Sequence, residues 1–581
     1  MKVLLLHPED RLSQRDAPGK WDLVVDFGRA PVSTYNEWGC RAGCRVVSLY
    51  DFGREVEDLY QTRNLLQLGM GRLVDLLGID WWDVLSLEIA AQMQQLMLVH
   101  RLANDLTPNC ELYMTRPFAL AAALQRLCRG PLIDLESGAG SVLRSVRHYS
   151  EAFSKLNIAQ VVQVLQDKFD PKHELRRRFA PRENNSGAPL VLLPSAYIGV
   201  SRVAVSYAAL LPDIQFLLVC ARSNGELKSL PANVRMVSLD SYFTSADEFQ
   251  TTDLLRTWSA LEENLIRASG EFESADAVGV LGRIPSLIRW GITLRTAWSH
   301  VFQSENIVGC LCADDSNTYT RIPLILAKKN EIPALACHHG AMDAWMGFKT
   351  QHADFYLAKG EMERDYLLRT CRVAPQKIIL GGPDASHTSS IESSDNRSDR
   401  PWLVFFSEAY HTAAWRTDEV YHELLPELSA LAHGCGLELV FKLHPFESVE
   451  AHRRLLRRLL PKSEAARIHV IAGAPSDELW RKTRFALTGQ STVAVDCTSR
   501  GIPVFLCAWL RDSYTGYVQQ YARFGIGRIL DSAEQIADIP RLLESQPATR
   551  PPKNKLRQTM DPETLRELLC GTSVLPVAAQ G

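Results

Sequence analysis

The sequence predicts an α/β protein with two Rossmann-type lobes of parallel sheet, preceded by an additional N-terminal α/β region. Three observations carry that class. Short, strongly apolar runs recur along the chain as strand candidates. Most are followed by a turn and a helix-length segment, the alternation expected of a parallel sheet covered by helices. The length of 581 residues exceeds the ~100–200 residues of a typical domain several-fold, so two or three cores are expected.

The opening region, residues 1–180, starts with the runs KVLLL, WDLVVDF and RVVSLY. It turns helical through VEDLYQTRNLLQLGMGRLVDLLG and VLSLEIAAQMQQLMLVHRLA. The start MKVLLLHPEDR becomes polar too soon for a signal peptide, and no run of about 18 apolar residues suggests a membrane span. The basic stretch Lys172–Gly187 lacks apolar periodicity and reads as a linker. Residues 187–390 then bring LVLLPS, FLLVCA, VRMVSL, VGCLCA, PALACHH, DFYLA and KIILGG, the strands of a first lobe. The serine-rich Ser386–Pro401 reads as an interdomain hinge. Residues 400–560 supply WLVFFSE, LELVFKLHP, RIHVIAG, FALTGQ and PVFLCA for a second lobe, and DPETLRELLC is a last helix.

Composition excludes more than it identifies. Apolar residues are 46%, charged residues 23% and the net charge is −3, values of an ordinary globular protein that call for neither nucleic acid nor an anionic membrane. The 13 cysteines form no CxxC pair and are expected to be reduced thiols of a cytoplasmic protein. Cys40 and Cys44 lack the further ligands of a structural zinc site, so no metal is expected. The segment Ala451–Leu460 is a basic amphipathic helix; a peripheral contact with an anionic membrane is open to it, although a solvated face is the plainer explanation.

In open α/β sheets ligands lie beyond the carboxyl ends of the strands, so residues that follow strands hold the chemistry. Three places stand out. Lys442-Leu443-His444-Pro445 ends one strand; the proline restricts the histidine backbone, and His444 with Lys442 nearby suits the charge on a departing phosphate. Gly489-Gln490-Ser491-Thr492 opens a helix, where backbone N–H groups and hydroxyls favour an anion, although N-capping explains the same residues. His338-His339-Gly340 follows a strand of the first lobe, and an imidazole there suits proton removal from an acceptor hydroxyl. Asp314 and Asp315 are rivals for that role, with N-capping as their plainer explanation. Glu408, after WLVFFS, is a further candidate that loop geometry alone also explains.

The order HHG, GGP, KLHP and GQST followed by GIPV, over Ile307 to Ala508, resembles the GT-B capsule and teichoic-acid transferases that use CDP-glycerol or CMP-activated sugars, the latter including Kdo and sialyl or polysialyl types. The resemblance implies a GT-B pair of lobes with an activated nucleotide donor held between them. It also implies inverting transfer without a metal or other cofactor. By position, His444, Ser491 and Thr492 serve the donor phosphate, and His339, or Asp314 or Asp315, serves a glycan or lipid-linked acceptor. The stretch AMDAWMG after HHG lacks the basic pattern of the CDP-glycerol enzymes, which makes a CMP-sugar at least as plausible a donor. A UDP-sugar 2-epimerase and a non-catalytic binding or scaffold protein of the same fold are the alternatives. The sequence leaves the role of residues 1–180 and the oligomeric state open.

Overall fold

The computed structural model describes residues 1–10, 20–70, 73–135, 187–196, 198–221, 230–243, 248–313, 317–338, 352–383, 401–410, 414–445, 447–510, 516–545 and 556–571. The stretches Lys172–Gly187 and Ser386–Pro401, expected as linkers, lie almost wholly outside them.

The described strands form three parallel sheets. The first holds β1 (Lys2–Leu6), β2 (Leu23–Asp26), β3 (Arg45–Ser48), β4 (Glu111–Met114) and β5 (Leu132–Asp134), in the order β3-β2-β1-β4-β5. The second holds β6 (Leu190–Ser195), β7 (Gln215–Cys220), β8 (Val234–Ser238), β9 (Ile307–Cys312), β10 (Ala334–Ala336), β11 (Phe355–Ala358) and β12 (Ile378–Leu380), ordered β12-β11-β10-β9-β6-β7-β8. The third holds β13 (Trp402–Phe406), β14 (Glu438–Lys442), β15 (His469–Ile471), β16 (Thr483–Thr488), β17 (Val504–Cys507) and β18 (Arg528–Leu530), ordered β15-β14-β13-β16-β17-β18. In each sheet the chain starts at an inner strand, adds two strands to one side, then returns to build the other. That is the Rossmann-type order, with a topological switch point beside the starting strand. The expected α/β class, two such sheets after an additional N-terminal one, is therefore what the chain adopts.

The strand sequences explain the parallel class. LVLLPS in β6 and WLVFF in β13 are buried at every position, as strands covered by helices on both faces must be. The helix Thr417–Gly434 shows how the cover is made: Val420, Tyr421, Leu424, Leu425, Leu428 and Leu431 recur at helical spacing and enter the core of the third sheet. Each such side chain contributes about 1.5–3 kcal/mol on burial. β4, β5 and β18 have no counterpart in the sequence reading; they are three or four residues long and only partly buried, so they lack the continuous apolar signal.

Contacts gather the chain into two units. One comprises Met1–Glu55, Leu96–Lys155 and Thr388–Lys553, and so carries the first and third sheets; the other comprises Val56–Gln95, Leu156–His387 and Asn554–Gly581 and carries the second. In the first unit a parallel bridge joins Arg29 to Trp415, with Arg29 N–H donating to Ala414 O (2.9 Å) and Arg416 N–H to Arg29 O (2.7 Å). In the second unit the segment Gln558–Met560 crosses the sheet's carboxyl edge: Gln558 N–H donates to Lys359 O (2.7 Å), and Met560 N–H to Gly382 O (2.8 Å). Gly360 is required beneath it, because a Cβ there would stand 2.4 Å from Leu556 O.

Candidate functional site

The third sheet brings three of the sequence candidates to one place. β13 lies between β14 and β16, and its last residue, Phe406, is in register with both Lys442 and Thr488. The loops Ser407-Glu408, Leu443-His444-Pro445 and Gly489–Thr492 therefore leave the sheet at one level. The gap between β13 and β16 is where the strand order reverses, the position at which open α/β sheets take ligands.

Glu408 sits at that reversal. Its Oε1 accepts the Gln490 N–H at 2.5 Å, and the Thr488 hydroxyl lies 3.3 Å from Oε1 and 3.1 Å from Phe406 O. A Cβ on Gly489 would stand 3.1 Å from the same Oε1, so the glycine leaves room for the carboxylate. Burial pushes the Glu408 carboxyl up to about 7, against the lowering effect of the Gln490 N–H, the Thr488 hydroxyl and the Ser491 N–H. The N–H cradle expected to hold a phosphate thus already holds a carboxylate, and burial favours that group's protonated form. Tyr521 fixes the loop from the other side by donating its hydroxyl to Gln490 O at 3.2 Å.

The His444 loop is a tight knot. His444 N–H donates to Glu447 Oε2 (2.9 Å) and to Ser407 Oγ (3.3 Å), and the Ser407 hydroxyl donates to the same Glu447 oxygen. Glu447 N–H returns to His444 O at 2.9 Å. These bonds engage the histidine through its backbone N–H and carbonyl. His444 is half-buried and Pro445 exposed. Lys442 behaves differently from the sequence reading of a cation near the phosphate: it is 4% exposed and donates its Nζ to Leu443 O at 2.9 Å, and burial pulls its pKa down.

Ser491 and Thr492 precede the seven-residue helix Val493–Ser499, whose N-cap Thr492 makes no side-chain cap bond. Ser491 Oγ instead accepts the Val493 N–H at 3.4 Å. Sequence reasoning missed Ser407 and Glu447. The spacing His-Pro-x-Glu was readable for Glu447, whereas Ser407 acts from a different strand.

No family model matches the sequence, and no curated protein does. Among solved structures, the chain is similar to the S. aureus MnaA–UDP co-structure, at 12% identity and a TM-score of 0.39 over 62% of this chain and 92% of that one. It is also similar to UDP-GlcNAc 2-epimerase from Methanocaldococcus jannaschii, at 11%, 0.40, 66% and 99%, and to MurG from Acinetobacter baumannii, at 12%, 0.36, 67% and 97%. These likenesses assign no family. The fold rests on strand order and register.

Of the acceptor-side candidates, only His338 lies among the described residues. His338 follows β10, is 3% exposed, and accepts the Lys359 ammonium on its carbonyl at 2.6 Å. His339, Gly340, Asp314 and Asp315 lie outside the described residues. Among the described residues no group of three His, Cys, Asp or Glu is placed to hold a metal, and no helix is long and apolar enough to cross a membrane. Cys40 and Cys44 are free thiols. The basic helix expected at Ala451–Leu460 spans Val449–Leu459; it turns His452, Leu455 and Leu456 into the core and leaves Arg453, Arg454, Arg457 and Arg458 exposed.

Proposed function

We propose that the chain is an inverting, metal-independent transferase that moves a sugar or polyol phosphate from a cytidine-linked nucleotide donor, CMP or CDP, to a glycan or lipid-linked acceptor in surface-polysaccharide synthesis. The observation that supports this reading is the convergence of Glu408, His444 and the Gly489–Thr492 loop at the carboxyl edge of one Rossmann-type sheet, beside its strand-order reversal.

In this reading His444 faces the donor's phosphate and neutralises the charge that develops as the bond to the transferred group breaks. Ser491 and Thr492 add hydroxyl donors to the same oxygens. Glu408 in its protonated form tolerates the nucleotide's negative charge, and ionised it repels that charge. His339, or Asp314 or Asp315, takes the acceptor hydroxyl's proton as the oxygen attacks, with the electron pair of the broken bond leaving on the nucleotide phosphate.

The test is thermal stabilisation of the protein by CMP, CDP, UDP, GDP and ADP. A ligand at 100 times its Kd adds about 2.7 kcal/mol of apparent stability. The transferase reading expects a cytidine-selective shift that Ser491→Ala abolishes. A uridine-selective shift, with UDP-sugar epimerised in the absence of acceptor, replaces it with the epimerase reading. No shift with any nucleotide leaves a non-catalytic scaffold.

A further inference from the structure

The first sheet repeats the His444 knot bond for bond. β1 ends in Leu6 and continues His7-Pro8-Glu9-Asp10; β14 ends in Lys442 and continues Leu443-His444-Pro445-Phe446-Glu447. His7 N–H donates to Asp10 Oδ2 (3.0 Å) and to Thr115 Oγ1 (3.0 Å), the Thr115 hydroxyl donates to the same Asp10 oxygen, and Asp10 N–H returns to His7 O at 3.0 Å. Thr115 N–H meets Leu5 O at 3.1 Å, as Ser407 N–H meets Lys442 O at 3.0 Å. Each hydroxyl residue follows a strand adjacent to the histidine's own. In the first sheet those strands are β1 and β4, so His7 stands at the strand-order reversal itself.

The two knots differ in the residue after the hydroxyl. In the third sheet it is Glu408; in the first it is Arg116, whose guanidinium bonds Asp10 Oδ1 at 3.0 Å and whose side chain is 33% exposed. His7 also has a defined tautomer. Its Nδ1 accepts the Glu9 N–H at 3.1 Å, which leaves the neutral ring's proton on Nε2 as a donor. Burial and the nearby Arg116 charge both lower its pKa and favour that neutral form. Phe118, half-buried, packs edge to face on the His7 ring with centroids 5.4 Å apart. One cation, one fixed donor and one aromatic surface therefore stand together.

We infer that the carboxyl edge of the first sheet is a second ligand site, taking a sugar that bears a carboxylate or phosphate, with Arg116 on the anion, His7 Nε2–H on a hydroxyl or anion oxygen, and Phe118 against the sugar ring. A guanidinium fork matches either planar or tetrahedral oxyanions, and an apolar ring suits the C–H face of a sugar. The inference does not depend on the transferase reading, because none of its residues belongs to the third sheet.

The test is calorimetric titration of the full chain with glucuronate, glucose 6-phosphate and uncharged glucose. Saturable binding of either anionic sugar, with glucose silent, is expected, and the stronger of the two identifies the anion. Arg116→Gln and His7→Gln are each expected to weaken it at least tenfold, and His444→Ala to leave it unchanged. His7→Gln keeps the backbone N–H that ties the knot, so it decides the matter if Arg116→Gln fails to fold. Absence of saturable binding, binding indifferent to both substitutions, or binding lost in His444→Ala overturns the inference.

Discussion

Arg416 and Asp26, 390 residues apart in sequence, form a buried ion pair that ties the first sheet to the third. Arg416 Nε donates to Asp26 Oδ2 at 3.0 Å, and its other nitrogens reach His7 O (2.8 Å) and Pro8 O (2.7 Å). The side chains are 4% and 0% exposed. Asp26 also accepts the Tyr35 hydroxyl and the Gly28 N–H, each at 2.8 Å.

The cost of breaking this pair follows from what is left behind. Arg416→Met removes the cation and leaves the Asp26 carboxylate buried without it, a change that costs about 3–5 kcal/mol. Asp26→Asn combined with Arg416→Met removes both charges and is expected to recover part of the loss. Denaturant unfolding of wild type and the two variants checks this. Equal stability of the single variant and wild type would show that the pair does not hold the two sheets.

Glu408 sets a pH dependence whose sign is fixed. Burial raises its pKa from the ordinary 4.5 to about 7, so the folded state binds this proton more tightly than the unfolded one. The stability it lends is complete below about pH 4.5 and is lost as pH rises through 7, about 3 kcal/mol in all. Wild type is expected to lose more stability than Glu408→Gln between pH 5 and 8. The same ionisation places a negative charge beside a nucleotide phosphate, so nucleotide binding is expected to tighten as pH falls from 8 to 6 in wild type only. Parallel pH profiles for the two proteins would remove Glu408 from both roles.

How much of this was legible in the sequence follows from the range of each interaction. Runs such as LVLLPS and WLVFF announce strands because burial on both faces demands continuous apolar residues. ELYM, LID and RIL sit at positions that demand less and give no signal. The strand-end positions of Glu408, His444 and Gly489–Thr492 were readable because strand and turn are local. Their convergence on one level depends on the register of β13 with β14 and β16, which no local pattern contains. The knot acids Asp10 and Glu447 sit three residues from their histidines, but Thr115 and Ser407 arrive from other strands, and Arg416 reaches Asp26 from across the chain.

The knot at His444 separates chemistry from stability. The bonds that tie the turn use the His444 backbone N–H and carbonyl, which alanine keeps, so His444→Ala is expected to cost less stability than Glu447→Ala. Under the transferase reading it lowers kcat roughly 10²–10⁴-fold. Glu447→Ala leaves the His444 N–H and the Ser407 hydroxyl without their carboxylate and costs about 1–3 kcal/mol. Unfolding curves and steady-state rates on both variants separate the two effects. A large stability loss in His444→Ala would mean that the ring itself holds the loop.

Gly489 tests whether the Glu408 carboxylate and the Gly489–Thr492 loop act as one object. Gly489 is not among the glycines with positive φ, so an alanine there meets no backbone strain. The three atoms nearest the added Cβ are all of the Glu408 carboxylate, at 3.1–3.3 Å. That carboxylate cannot swing aside freely, because Gln490 N–H and the Thr488 hydroxyl hold it at a half-buried position. Gly489→Ala is therefore expected to cost about 1–3 kcal/mol, as overpacking does, and to weaken nucleotide binding by displacing the loop. In a Glu408→Ala background the added methyl has room, so the cost falls by at least about 1 kcal/mol, the size of coupling expected between residues in contact. A double-mutant cycle on unfolding free energies measures that coupling. Strict additivity would mean that the loop and the carboxylate are neighbours without being mechanically joined.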